Sequence, residues 1–168
     1  LVSILNKIVF KDSSNRIANI LQDLGKMYQD WGLLLPNSSP LFWVLKEPLS
    51  KLADFKPESL SKIHASLDKL NKTCAQLDRV HLTRNDGMLI LEEIRLTIHL
   101  MKHACKRVIW CFEERNDDQD MLLLREIKCL MADYREIWLK RNRIGGLDDS
   151  LARFNIMLSE YEDTLGKD

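Results

Sequence analysis

Two apolar seams at coiled-coil spacing constrain the fold of this chain more than any other feature. Leu60, Ile63, Leu67, Leu70, Cys74 and Leu77 recur at alternating intervals of three and four residues, and Leu91, Ile94, Ile98, Met101, Cys105, Val108 and Phe112 do the same. Such a period turns one stripe of each helix toward a partner helix. Arg84-Asn85-Asp86-Gly87 turns the chain between them, so the two helices are expected to pair antiparallel.

The flanking segments extend this pattern. Ser13 or Ser14 is placed to cap a helix that carries Ile17, Ile20, Leu21, Leu24, Met27, Tyr28 and Trp31 on one face, which Gly32, Pro36 and Pro40 then break. From Pro40 to Phe55, with Pro48 inside, the expectation is short, irregular helix. The polar run from Glu113 to Asp120 reads as a loop or frayed turn. A third long helix then directs Met121, Leu124, Ile127, Met131, Tyr134 and Trp138 toward the core, and Gly145-Gly146 stop it. Asp148 or Asp149 can cap a last helix with Leu151, Phe154, Leu158, Tyr161 and Leu165 inside. The fold class expected is all-α, an antiparallel bundle of about five to six helices forming a single domain over residues 1–168.

Charge and composition exclude more than they assign. Twenty-five basic residues balance twenty-five acidic ones, so the summed field argues against a nucleic acid as partner. Charges along the helix from Met88 to Phe112 argue against a membrane span. The chain opens on the apolar stretch Leu1 to Phe10 without a cationic leader or cleavage site, and reads as a segment cut from a larger polypeptide. Cys74, Cys105, Cys111 and Cys129 lack the close pairing of zinc or redox sites. They read as buried free thiols, which slightly favours a reducing, cytoplasmic setting.

No catalytic constellation is legible. His99 and His103 stand four residues apart, a spacing that can share a metal, but no third ligand accompanies them and a solvated pair is expected. His64 and His81 are isolated. Adjacent carboxylates occur at Glu92-Glu93, Glu113-Glu114, Asp117-Asp118 and Asp148-Asp149, where helix solvation and capping account for them. Phosphate loops, nucleophile elbows and the paired Glu-x-x-His motifs of metal-carboxylate bundles do not occur, so neither a metal nor a cofactor is expected. The helix from Met88 to Phe112 also carries Leu89, Leu96, Leu100 and Trp110 opposite its seam, interleaved with Glu92, His99, His103 and Arg107. That second side is either a docking surface for a missing domain or second subunit, or the mark of a helix central in the bundle.

One stretch points to a family. Tyr134-Arg-Glu-Ile-Trp138-Leu-Lys-Arg141-Asn142-Arg143-Ile-Gly145-Gly146-Leu147-Asp-Asp149-Ser150 resembles the helical region that follows the barrel in glycoside hydrolase family 20 β-N-acetylhexosaminidases. There a Trp, an Arg-Asn-Arg or similar triplet, a Gly-Gly-Leu and an Asp-Ser close the last helical hairpin. Ile144 departs from the Pro of many relatives. The resemblance implies an upstream (β/α)8 barrel that removes terminal N-acetylhexosamine, with an Asp-Glu pair that these 168 residues do not contain. The chain would then be a non-catalytic C-terminal domain, meeting an N-acetylhexosaminide only through the parent enzyme. Its partners would be the barrel of the same polypeptide or a second copy in a homodimer. Trp138, Arg141, Asn142 and Arg143 are the candidates for contact with the barrel or the substrate rim, since an aromatic can stack on a sugar while Arg and Asn hydrogen-bond to hydroxyls. The competing role is structural, with Arg and Asn satisfying carbonyls at the helix end. The alternative function is a free-standing helical module that binds another protein.

Overall fold

The computed structural model describes residues 1–31, 39–52, 60–114 and 116–166. It is an all-α bundle. A short N-terminal helix α1 (Val2–Ile4) runs into a π-helical turn over Leu5–Val9, and α2 (Ile17–Lys26) ends in a 3-10 turn, Met27–Trp31. Two short helices follow, α3 (Pro40–Lys46) and α4 (Leu49–Leu52), and then four long ones: α5 (Leu60–Leu77), α6 (Gly87–Phe112), α7 (Asp117–Arg141) and α8 (Leu147–Leu165). The helices exceed the five or six expected because α1 forms ahead of α2 and because Glu47 is extended ahead of Pro48, which splits the proline-bearing segment in two. Gly32, Pro36 and Phe55 lie outside the described residues.

Cross-helix pairs set the direction of packing. Asp78 meets Arg95, Cys74 meets His99 and His64 meets Glu113, so α5 and α6 run antiparallel as their seams predict. The pairs Glu92–Lys140 and Lys106–Glu126 do the same for α6 and α7, and Lys128–Glu162 with Arg135–Asp148 for α7 and α8. Within the core Ile63, Leu70 and Leu77 of α5 face Ile94, Ile98, Cys105 and Val108 of α6. Each sealed Leu or Ile contributes about 1.5–3 kcal/mol relative to exposure.

The second side of α6 is covered. Leu96, His103, Arg107 and Trp110 are buried, with α3 and α7 packed over this helix and Glu160 and Tyr161 of α8 reaching Arg107 and His103. It is therefore central in the bundle, not an open docking face.

Several local expectations shift. Asp12, not Ser13 or Ser14, begins α2: its carboxylate accepts the Arg16 and Ile17 amides at 2.7 and 2.8 Å. Two carboxylate oxygens can serve several orphan amides at once, which one serine hydroxyl cannot. Asn6 adds a side-chain acceptor at 2.9 Å for the Ala18 amide. The polar run becomes helix from Asp117 onward, since Asn116 caps α7 through the Gln119 amide at 2.9 Å and Asp117, Asp118 and Asp120 favour its positive end. Leu123, Ile127 and Leu130 form the inner face of α7, while Met121 is exposed. In α8 the buried residues are Leu147, Met157 and Tyr161, with Phe154 and Leu158 partly buried beside them. The four cysteines are free, but only Cys105 is buried and Cys129 is exposed.

Candidate functional site

The junction between α7 and α8 is built almost entirely from its own chain. α7 stops at Arg141 because Asn142 turns extended, its amide and side chain both donating to the Trp138 carbonyl at 2.8 and 3.3 Å. The helix therefore ends ahead of Gly145-Gly146. Gly146 has φ of 82°, the left-handed region, and supplies the carbonyl that the Ser150 hydroxyl and amide contact. It is the N-cap of α8, so Asp148 and Asp149 lie in the first helical turn and act on the dipole rather than as the cap.

Trp138 is half-buried against Tyr134, and its indole N–H donates to the Arg143 carbonyl at 2.9 Å. Arg141 makes a two-pronged pair with Glu93, at 2.8 and 3.1 Å, and reaches Asp86 at 3.2 Å. Hydrogen bonds from Arg84 and Arg141 hold the Asp86 carboxyl at about 2, and those carboxylates in turn raise the Arg141 guanidinium. Arg84 also donates to the Val9 carbonyl at 2.6 Å. One cluster thus ties the N-terminal turn, the α5–α6 turn and the end of α7. Gly87 is needed here because a Cβ would stand 2.9 Å from Leu82 Cβ. Of the four predicted contact residues, Trp138, Arg141 and Asn142 are engaged within the chain, and Arg143 is exposed at the tip beside Ile144.

A second polar constellation lies inside the bundle. His103 and Arg107, one turn apart on α6, are fully buried, so the solvated histidine pair is corrected: α7 and α8 cover this side, and His99 is half-buried near Cys74 Sγ at 3.8 Å. His103 Nε2 meets the Tyr161 hydroxyl at 3.2 Å, and Nδ1 faces Glu126 at 3.4 Å. Arg107 donates to the Val44 and Glu47 carbonyls and to Glu160, whose other oxygen accepts the Leu49 amide at 2.7 Å. These bonds close the end of α3 and the start of α4 across Pro48. The Trp110 indole donates to buried Asp120, and its ring meets Tyr161 edge-on.

Electrostatics follow burial. Burial lowers the proton affinity of His103 against the pull of Glu126. Burial opposes ionisation of Glu126, but hydrogen bonds from His103 and Lys106 outweigh it and hold its carboxyl at about 2. Burial pushes the Cys105 thiol up to about 12, leaving no reactive thiolate there. Sequence reasoning missed this cluster, although polar His103 and Arg107 among Leu96, Leu100 and Trp110 were its signal.

No catalytic pair faces a shared cleft with a nucleophile among the described residues. His64 and Glu113 meet at 2.7 Å beside a cleft of about 310 Å³, but the other lining is chiefly apolar. Among the described residues no group of three or more His, Cys, Asp or Glu could hold a metal ion, and no helix is long and apolar enough to cross a membrane. The chain matches no protein-family model, no curated protein and no solved structure.

Proposed function

We propose that this chain is a non-catalytic helical domain of a family 20 β-N-acetylhexosaminidase, supporting the barrel of the same polypeptide or an interface between two copies. The observation that carries the reading is the density of the pattern from Tyr134 to Ser150, where Trp138, Arg141-Asn142-Arg143, Gly145-Gly146-Leu147 and Asp149-Ser150 follow one another. Trp138, Arg141 and Asn142 brace the hairpin, and Arg143 with Ile144 stands at its exposed tip. Arg143 is then the member of the set that meets the barrel or the substrate rim.

A free-standing interaction module is the second reading. It is favoured by Leu1, Ile4 and Ile8, apolar residues exposed along the N-terminal turns. The coding region upstream of Leu1 separates the two. The proposal expects an open frame encoding alternating strands and helices with an Asp-Glu pair at a strand end. A start codon immediately before Leu1 would overturn it in favour of the module.

A further inference from the structure

We propose that Cys74 is a modification site, where His99 and Arg95 activate the thiol for exchange with a small zwitterionic disulfide. Side chains of α5 and α6 meet there. Cys74 Sγ on α5 stands 3.8 Å from His99 Nε2 on α6, and Arg95, one turn earlier on α6, reaches the same thiol. Asp78, one turn beyond Cys74, holds that guanidinium at 2.6 Å. The thiol thus has a base for its proton and an anchored cation for its thiolate, the parts of an activated nucleophile. Cys105 is sealed in the core. Among the described residues Cys129 is more exposed than Cys74 but makes no hydrogen bond to an imidazole or a guanidinium.

Burial lowers the proton affinity of His99, so the ring is neutral near pH 7 and, with its own proton on Nδ1, accepts the Cys74 proton at Nε2. The thiolate then attacks one sulfur of the disulfide. The new S–S bond forms as the old one breaks, and the departing thiolate takes the proton from His99. Cys74 is oxidised to the disulfide level and the departing sulfur is reduced to a thiol, so the disulfide itself is the oxidant. The product is a mixed disulfide at one residue, not turnover of a substrate. His99 and Arg95 also line a cleft of about 230 Å³ between α6 and α7. Cys74 is outside this lining, but the cleft begins at the two side chains that touch it. Glu92, Asp133, Glu136 and Lys140 give the cleft both signs of charge, which suits a disulfide bearing ammonium and carboxylate groups.

The reduced 168-residue chain, incubated near pH 7 with glutathione disulfide and mapped by peptide mass, tests this. Cys74 is expected to form the mixed disulfide about tenfold faster than exposed Cys129, with buried Cys105 unmodified. His99→Gln brings Cys74 to the rate of Cys129 or below it and leaves Cys129 unchanged. With neutral hydroxyethyl disulfide the advantage of Cys74 shrinks; an equal advantage with both reagents overturns the zwitterionic class. Cys129 reacting first or equally fast, an undiminished Cys74 rate in His99→Gln, or labelling of Cys105 in step with Cys74 overturns the site itself. Should His99→Gln fail to fold, the wild-type ratio of Cys74 to Cys129 decides, and Arg95→Gln must lower it.

Discussion

Arg107 ties α6 to the end of α3, the start of α4 and α8, because one guanidinium donates to two carbonyls and one carboxylate where water cannot reach. A buried pair gains little over an apolar replacement, yet breaking it strands its partner. Arg107→Ala is therefore expected to destabilise the bundle by about 3–5 kcal/mol, read as a lowered urea midpoint. A loss below about 1 kcal/mol would mean that solvent reaches Glu160. Arg141 presents the opposite case. It lies at the surface, so Arg141→Ala should lower stability more at low salt than at 1 M, where screening shortens the reach of charge to about 3 Å. Equal loss at both salt levels would contradict that account. Neither role was legible from residue type. Arg107 lay on a side open to two readings, docking surface or inner face of a central helix, and Arg141 in a set open to barrel or substrate-rim contact or to bracing a helix end, because sequence shows a charge but not the helix that will cover or meet it.

At the level of elements, the α7–α8 hairpin isolates the part played by each glycine. Gly146 sits at positive φ and Gly145 does not, and a Cβ on Gly145 would meet nothing within 4 Å. Gly146→Ala is expected to cost about 1–2 kcal/mol, whereas Gly145→Ala is tolerated; thermal melts of the two variants decide the matter, and equal losses would refute the assignment. The sequence pair Gly-Gly could not show this difference. The α5 and α6 seams were readable because each had one dominant apolar phase. α7 was readable in part: Ile127 is buried and Leu124, Met131 and Tyr134 pack against the core, whereas Met121-Leu122-Leu123-Leu124 offers every phase at once and Leu123 is the one buried. The start of α7 was displaced for a related reason: acidic residues that look like a loop also favour a helix N-terminus when Asn116 provides the cap. In α8 Tyr161 lies inside as its spacing indicated, whereas Met157 was not foreseen there, nor was the meeting of the Tyr161 hydroxyl with His103 of α6.

On the scale of the whole molecule, buried titratable groups lean one way. Burial is the leading cause of the lowered proton affinities of His99 and His103, so their contribution to stability is full above about 6.5 and falls as pH drops through and below that value. Glu126 is held at about 2, below its ordinary 4.5, so its contribution is present above 4.5 and lost as pH falls toward 2. The urea midpoint should therefore be highest above pH 6.5 and decline in two stages on acidification. A midpoint constant from pH 7 to pH 3 would contradict this arrangement. The all-α architecture was legible in the apolar periodicity, whereas the proposed function rests on a stretch of about twenty residues and their resemblance to one family. The most direct test is hydrolysis of a chromogenic N-acetyl-β-hexosaminide, measured for the 168-residue chain and for the product of its whole natural reading frame. The account predicts activity only in the latter; hydrolysis by the 168-residue chain itself, or none by the whole-frame product, would contradict it.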